Sequence, residues 1–323
     1  MPQPTPSDVH VSRPLTNISV AYMQGRNFLA DRVFSRVGVS KQADQYFTYP
    51  KEQWFRTDAA LRAPGTESAG SGYTLGTDTY FCHVYAIHKD VDDQTRANAD
   101  TPLNMDREAT QFVTNQLLLK RDLDWASTFM TTGVWETDKT GVASGPNSTQ
   151  FIQWDQAASD PIQDVQNGKT AILQATGYEP NVLVLGYEVF AQLANHADII
   201  DRIKHTQRGV LTEELLAQLL RVDRIVVASA IKNTANEGAA AAMSFVIGKS
   251  ALLCYANATP GLMSPSAGYT FTWTGLLGSS AFGTRISRFR MQEKKSDRIE
   301  GEMAYDMKVI AADLGYFFTA AVG

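Results

Sequence analysis

The fold of this protein is decided by residues 177–230, which read GYEPNVLVLGYEVFAQLANHADIIDRIKHTQRGVLTEELLAQLLRVDRIVVASA. The apolar run at 182–185 predicts a buried strand that passes through Gly186 into an amphipathic helix at 187–196. Thr212 and the two glutamates after it predict a second helix, because a threonine N-cap and an acidic first turn both stabilise a helix start. Residues 224–229 are apolar again and predict another strand. The stretch therefore encodes a strand–helix–helix–strand unit.

Composition places the chain among folded proteins with a sizeable core. It has 323 residues, 44% of them hydrophobic and 20% charged, and this length allows one large domain or two to three smaller ones. No apolar run approaches the ~20 residues that a membrane helix requires, and the first forty residues lack the features of a signal peptide. Cys82 and Cys254 are few and far apart, which argues against a disulfide scaffold and indicates synthesis in a reducing cytosol.

Charge is unevenly distributed along the chain. The formal net charge is −5, yet residues 1–41 carry a net +3, which leaves −8 for the remainder. The charged side chains of that segment are Arg13, Arg26, Arg32, Arg36 and Lys41 against Asp8 and Asp31. Two interpretations are open: an ordinary basic tail, or an arm that contacts acidic neighbouring subunits or packaged nucleic acid. The acidic remainder argues against a dedicated DNA-binding domain, since non-specific affinity for DNA comes from Lys and Arg.

The first hundred residues divide into an arm and a hairpin. Four of the first twenty residues are proline and helical periodicity is weak, so residues 1–43 are predicted to form an extended arm. Alternating aromatic and polar residues at 44–55 predict a strand interrupted near Pro50. A polar, glycine-rich stretch separates it from a second strand at 79–87. We expect a long hairpin that projects from the body.

Between residues 104 and 130 the pattern changes to that of a helix. Asn104 is a good N-cap, and Asp106 and Glu108 suit the positive end of the helix dipole. At 1.5 Å per residue the helix would be a rod of roughly 40 Å, here called the spine helix. Spacings of three, four or seven predict its buried face: Met105, Ala109, Phe112, Leu119, Leu123, Ala126 and Met130. Trp125 and Phe129 are predicted to make a core or inter-subunit contact.

The second half of the chain alternates helices and strands. Asp160, Pro161 and Gly177 predict the start and the end of a helix, which leads into the unit described first. A strand is predicted at 244–256. Long strands are predicted at 284–291 and 299–312, and a third at 314–322. Because these late strands need partners, we expect them to complete a sheet begun before the spine helix.

The order of these elements resembles that of HK97-fold major capsid proteins of tailed double-stranded DNA bacteriophages. The resemblance covers most of residues 20–323 and rests on element order and on the texture of residues 180–203 and 221–230, without a diagnostic motif. It implies an α+β fold in five parts: an N-terminal arm (1–43), a peripheral-domain strand with a projecting hairpin (44–100, the E-loop about 55–88), the spine helix and peripheral domain (101–158), a mixed α/β axial domain (159–275), and C-terminal strands that return to the peripheral domain (276–323).

The resemblance also implies a function and partners. The subunit would self-assemble into hexamers and pentamers of an icosahedral shell that encloses viral double-stranded DNA by non-specific contact, in a virion assembled in the host cytoplasm. A portal, a decoration or cement protein and a scaffolding protein are the implied partners, without a membrane. The scaffold is expected to be a separate protein because the spine helix begins near residue 104. Some relatives are locked by an isopeptide bond from a hairpin lysine, but no lysine lies between Lys51 and Lys89, so we expect none here.

No group of residues predicts a catalytic, cofactor or metal site. Gly70, Gly72 and Gly76 lack the spacing, the following helix and the lysine of a phosphate loop, which favours a flexible hairpin tip. Cys82 and His88 would share a face of a strand but lie roughly 20 Å apart, and His83 would point away from both. Ser71 and Ser250 each lack a flanking glycine of the nucleophile elbow.

Two alternatives stay open beside a viral shell. The first is an encapsulin-like cellular compartment, whose shell has the same fold. The second is a cytosolic α/β enzyme, which would present a pocket with converging polar groups.

Overall fold

Two large β-sheets and one long helix give the protein its framework. In a computed structural model, residues 28–98, 104–203, 211–236, 238–261, 263–278 and 283–323 are described. Residues 1–27 of the predicted arm (1–43) lie outside them. The elements up to the spine helix are α1 (Ala30–Val33), β1 (Arg36–Val39), β2 (Ala43–Thr48), α2 (Lys51–Trp54), β3 (Gly76–Phe81), β4 (His83–Asp92), α3 (Asp93–Ala97) and α4 (Met105–Phe129). The later elements are β5 (Thr137–Val142), β6 (Gln150–Ile152), α5 (Pro161–Thr176), β7 (Val182–Gly186), α6 (Tyr187–Ala194), α7 (Ala197–Ile203), α8 (Glu213–Leu220), β8 (Arg224–Ala228), β9 (Ile231–Asn233), β10 (Met243–Phe245), β11 (Ala251–Cys254), β12 (Gly268–Trp273), α9 (Thr274–Leu277), β13 (Thr284–Met291), β14 (Ser296–Val309), a 3₁₀ turn (Ala312–Leu314) and β15 (Gly315–Thr319).

The five-stranded sheet is organised around β14. One edge of β14 pairs antiparallel with β4, and the other pairs first with β13 and then with β12. Strand β1 adds to β12 in parallel. Because β4 precedes the spine helix in the chain, the predicted return of the late strands to an earlier sheet is confirmed for β13 and β14.

The spine helix α4 begins and ends as the sequence predicts. The Asn104 side chain accepts the Arg107 N–H at 3.0 Å, and the helix packs on β14 and β4. The predicted buried face is wrong in part, since Phe112 is 47% exposed and Leu119 and Leu123 are only half-buried. The buried side is instead formed by Ala109, Thr110, Val113, Thr114, Leu117, Leu118, Arg121, Asp122, Trp125 and Phe129. Trp125 and Phe129 therefore belong to the core of the subunit.

The six-stranded sheet contains the unit that the first quoted stretch encodes. Its order is β6-β5-β15-β11-β7-β8, with β7 parallel to β8 and antiparallel to β11. Every residue of β7 and β11 is buried, because helices α5, α6 and α8 pack on this sheet. A Cβ at Gly186 would lie 1.7 Å from the Gly248 carbonyl oxygen, so the turn from β7 into α6 requires glycine.

Three features differ from the sequence prediction. The strand predicted at 244–256 is two short strands, β10 and β11, and the helix α7 was not predicted. The last strand, β15, pairs with β5 and β11 rather than with β13 and β14, so the end of the chain joins the six-stranded sheet. Strands β5 and β6 are in that sheet as well.

Candidate functional site

The hairpin predicted at the start of the chain exposes several large apolar side chains. Its legs, β2 and β3, pair antiparallel from Ala43↔Phe81 to Thr48↔Gly76. The residues between them, 49–75, are named the hairpin tip and contain only the single helical turn α2. Leu61 is 102% exposed and Phe55 67%. Apolar side chains this exposed are the feature expected of a surface that a partner covers.

Three aromatic rings of the tip contact one another without being buried. The Trp54 and Tyr73 rings lie 5.2 Å apart, and the Tyr49 ring lies 6.3 Å from Trp54 and 6.4 Å from Tyr73, measured between centroids. Trp54 is still 47% exposed and Tyr73 59%. The cluster therefore keeps a broad aromatic face in solvent.

The base of the hairpin is fixed to the five-stranded sheet by a small second core. Phe271 on β12 stacks on Tyr80 at 4.8 Å and on Tyr46 at 5.5 Å. Cys82 is fully buried beside them, and burial raises the pKa of its thiol to about 12. The hairpin legs are thus a rigid mount for the tip.

One ion pair ties the start of the tip to the end of the chain. Lys51 Nζ lies 2.5 Å from Asp313 Oδ2 and 3.8 Å from Glu136 Oε2. The hydrogen bond to Asp313 raises the pKa of Lys51. Its amine is held as an ammonium group, which is not a nucleophile, and this supports the expectation that Lys51 forms no isopeptide bond.

The chain enters the body through α1, which docks on the spine helix. Leu29, Ala30, Val33 and Phe34 are at most 3% exposed. The Phe34 ring packs 4.7 Å from Phe129 and 5.9 Å from Trp125. Residues Leu29 to Phe34, named the arm root, are therefore part of the core, although the sequence assigned them to an arm.

Charged side chains join α3, the first turn of α4 and the β13–β14 hairpin. Asp297, 8% exposed, contacts Arg288 at 2.6 Å, Arg96 at 2.8 Å and Arg290 at 3.4 Å. Burial raises the pKa of Asp297, but the hydrogen bonds from Arg288 and Arg96 outweigh it and the net shift is downward. Asp106 also contacts Arg96 and Arg288. The cluster positions the start of the spine helix.

The residues weighed for chemistry in the sequence do not converge. Within the described ranges, no group of three or more His, Cys, Asp or Glu side chains is placed to hold a metal ion. His83 and His88 are exposed, and Cys254 is buried in the other sheet, where burial raises its pKa to about 12. Gly76 is the first residue of strand β3, whereas a phosphate loop leads into a helix.

One grouping that sequence reasoning missed resembles a hydrolase triad in composition. Ser159 Oγ lies 3.0 Å from His196 Nε2, and His196 Nδ1 lies 3.9 Å from Asp198 Oδ2. Ser159 donates its hydroxyl proton to the Gln156 carbonyl at 2.6 Å, so its oxygen accepts from His196. His196 Nδ1 in turn accepts the Asp198 N–H at 3.3 Å. In this tautomer the histidine donates to the serine, the opposite of a general base. The contact joins the turn before α5 to the start of α7.

A surface depression of about 420 Å³ lies beside the arm root. Asp31 and Arg36 line it, and their side chains contact each other at 3.5 Å. Its charged groups are thus directed at each other rather than at a substrate position.

In the part of the chain that the structure describes, no helix is long and apolar enough to cross a membrane.

Several known proteins are similar to this chain in sequence or in structure. No family model matches the chain. The major capsid protein of Burkholderia phage BcepMu is 24% identical over 319 residues, covering 96% of each chain. A phage-related protein from Bordetella bronchiseptica RB50 has a similar structure, with a TM-score of 0.72, 21% identity, and coverage of 97% of this chain and 98% of that one.

Two further solved structures share the fold. The capsid of cyanophage P-SCSP1u gives a TM-score of 0.60 at 11% identity, over 90% of this chain and 88% of that one. The SrpI encapsulin of Synechococcus elongatus PCC 7942 gives 0.55 at 11% identity, over 99% and 92%. The predicted α+β HK97-like fold is confirmed. The chain therefore has the HK97-like fold of phage capsid proteins, and it is similar in sequence to a phage major capsid protein over nearly its whole length.

Proposed function

We propose that the chain assembles into hexamers and pentamers of an icosahedral shell that encloses viral double-stranded DNA. The observation that carries the proposal is the hairpin tip, which holds a fully exposed leucine and a broad aromatic face on a rigid mount. In a subunit alone the exposed apolar side chains contribute no stability. A neighbour that covers them would bury apolar area, which stabilises the contact by about 25 cal/mol per Å².

The parts of the shell subunit follow the two sheets. The spine helix with the five-stranded sheet would be the peripheral domain, and the six-stranded sheet with its helices the axial domain. In this proposal the axial domain takes in β5, β6 and β15 besides residues 159–275, because those strands pair within its sheet, and it leaves β12 to the five-stranded sheet, in which β12 pairs. The E-loop would comprise β2, the hairpin tip and β3.

Its role would be structural rather than enzymatic. The opposed hydrogen bonds of Ser159 and His196 support this, as do the two cysteines, whose thiolates are suppressed by burial. An encapsulin-like compartment shares the fold and stays the second candidate. The phage relative that matches 96% of the chain favours the virus.

A scaffolding protein, a portal and a cement protein would take part in assembly in the host cytoplasm, and the finished protein would reside in the virion. Its contact with DNA would be non-specific. We further propose that acidic surface dominates the inner face away from the arm, so that DNA slides during packaging. The support is the charge division of +3 for residues 1–41 and −8 for the rest. Tight DNA binding at physiological salt by a subunit that lacks the arm would contradict this.

Electron microscopy of the chain expressed with its genomic neighbours tests the proposal. Icosahedral shells that hold DNA are expected. Shells that hold an enzyme cargo would identify a compartment, and small discrete oligomers would favour an enzyme.

The arm is tested by removing residues 1–27, which spares the buried arm root. We expect a folded subunit, judged by an unchanged unfolding midpoint, that forms no normal shells. Normal shells from this truncation would exclude the arm from assembly.

A further inference from the structure

The arm root is held by a buried carboxylate on the spine helix. Asp122 is 1% exposed. Its two oxygens accept the Leu29 N–H at 2.9 and 3.1 Å, and Oδ1 also accepts the Ala30 N–H at 2.9 Å. These donors open α1, where N–H groups have no partner inside the helix. Asp122 therefore caps a helix 92 residues earlier in the chain.

Two kinds of contact hold the arm root, and they do different things. Burial of Leu29, Val33 and Phe34 supplies attraction, but hydrophobic attraction has no direction. The hydrogen bonds to Asp122 do have direction, because a donor loses most of its interaction when it moves away from the acceptor. A shift of one residue along the spine helix would separate the carboxylate from its two donors.

The neighbouring ion pair fixes the same register. Arg121 precedes Asp122 on the spine helix and contacts Asp31, which follows Ala30 on α1. Arg36 contacts Asp31 from β1 at 3.5 Å. Successive spine residues thus bind successive residues of the arm root. These are also the charged groups around Asp122: Arg121 favours its ionised form, whereas Asp31 opposes it.

Capping α1 with a carboxylate costs free energy, because the ionised group is buried. Burial raises the pKa of Asp122 to about 6, in spite of the backbone hydrogen bonds and of Arg121, which lower it. When the arm root is undocked and Asp122 is in water, its pKa would return to about 3.9. Docking is therefore weaker with ionised than with protonated Asp122, and it strengthens as the pH falls below about 6.

We propose that Asp122 is the positioning residue of the N-terminal arm: its carboxylate fixes the place and direction in which residues 1–27 leave the body. The proposal rests on the proposed function only in that the arm takes part in assembly. The positioning itself is a property of the single subunit.

Hydrogen exchange at the Leu29 and Ala30 amides of the unassembled full-length subunit tests it. After correction for intrinsic exchange, protection should rise about tenfold from pH 7.5 to pH 5, while amides of β14 serve as the internal reference. The sign follows from the raised pKa, because the docked state binds a proton that the open state releases. Protection at these amides that does not depend on pH would overturn the proposal, and this measurement needs no variant.

Asp122→Asn supplies the second test. The hydroxyl oxygen of a protonated carboxyl can still accept with its hydrogen turned away, but the amide nitrogen of asparagine cannot accept at all. One donor of the arm root therefore loses its acceptor, so protection at both amides should fall about tenfold and lose its pH dependence. Asp164→Asn is the matched control. Asp164, on α5, is another carboxyl group, and burial raises its pKa as well. It accepts a hydrogen bond from Trp154 Nε1 at 2.9 Å. The control should keep wild-type protection and pH dependence at Leu29 and Ala30. Wild-type protection in Asp122→Asn would overturn the proposal.

Shell formation distinguishes a failure of the positioning role of Asp122 from a failure of the proposed function. A misplaced arm predicts that Asp122→Asn, folded at neutral pH, forms fewer or irregular shells while Asp164→Asn assembles normally. If the exchange results hold and neither variant nor wild type forms shells, the positioning stands and the proposed function fails.

Discussion

Gly301 sets how closely the spine helix lies on the five-stranded sheet. It is in the middle of β14, opposite Ile286 on β13 and Ile87 on β4. A Cβ at this position would lie 2.5 Å from Val113 Cγ1, 2.8 Å from Leu117 Cδ1 and 3.1 Å from Ile286 Cδ1. Carbon atoms pack at about 3.5–4.0 Å, so Gly301→Ala requires movements of about 1 Å at two side chains of the helix.

The expected cost follows from which of those groups can move. Val113 has one favoured rotamer in a helix, so the helix itself must shift, and overpacking of this kind costs about 1–3 kcal/mol. Replacing glycine by alanine also lowers the conformational entropy of the unfolded chain, which offsets roughly 0.4–1 kcal/mol of this cost. We expect Gly301→Ala to lower the free energy of unfolding by about 0.5–2 kcal/mol, and Gly301→Val to lower it further.

Urea unfolding of the unassembled subunit measures this, with Gly72→Ala as control. Gly72 is in the hairpin tip with open space around its missing Cβ, so its variant should stay within about 0.5 kcal/mol of wild type. The midpoint should fall in the order wild type, Gly301→Ala, Gly301→Val at an unchanged slope. If Gly301→Ala is as stable as wild type and Gly301→Val no worse, the spine helix does not depend on glycine.

Three further outcomes test the surface and the ion pairs. Leu61→Asp changes a side chain that is 102% exposed, so subunit stability should stay within about 0.5 kcal/mol while shell yield in electron micrographs falls; normal shells would contradict the role of the hairpin tip. Boiled mature particles should run as a single band near the subunit mass of 35.5 kDa, since Lys51 is held as an ammonium group; a ladder that disappears in Lys51→Gln would identify Lys51 as a cross-link donor. Asp297→Asn should cost about 1–3 kcal/mol at pH 7. Because the pKa of Asp297 is lowered in the folded state, its contribution is present above the unfolded value of about 3.9 and is lost as the pH falls; a difference from wild type that is constant down to pH 3 would refute this.

The sequence predicts the elements well because caps and periodicity are local. Asn104, Asp160 and Thr212 each accept an N–H of the first helical turn, and each is a residue type that favours this position. The strand at 182–185 is apolar throughout because both of its faces are buried. None of these inferences needs a contact from a distant part of the chain.

Predictions fail where a distant contact decides. The spine helix buries Thr114 and Asp122 in place of Leu119 and Leu123. Thr114 satisfies its hydroxyl on the Thr110 carbonyl, and Asp122 accepts from the arm root, but a hydrophobic pattern counts both as solvent-facing. The pairing of β15 with β5 is likewise invisible, because alternation predicts a strand and not its neighbour.

The candidate site was only partly open to prediction for a related reason. Glycine and small polar residues mark the hairpin tip in the sequence, but the aromatic face of Tyr49, Trp54 and Tyr73 depends on residues 24 positions apart meeting in space. The arm root is buried because Phe34 packs on Trp125 and Phe129, and Asp122 caps it from the same helix. Such pairs carry no spacing rule that a single sequence reveals.

Non-covalent assembly is consistent with the energies available at this surface. Full burial of one large apolar side chain contributes about 1.5–3 kcal/mol, and each association also costs translational and rotational freedom. One hairpin contact would therefore bind weakly and reversibly. In a closed ring or shell each subunit makes such contacts with several neighbours, and the later ones form at high effective concentration. Weak single contacts would allow misplaced subunits to leave while the closed shell holds, and we expect the ammonium group of Lys51 to form no covalent bond that would make a misplaced subunit permanent.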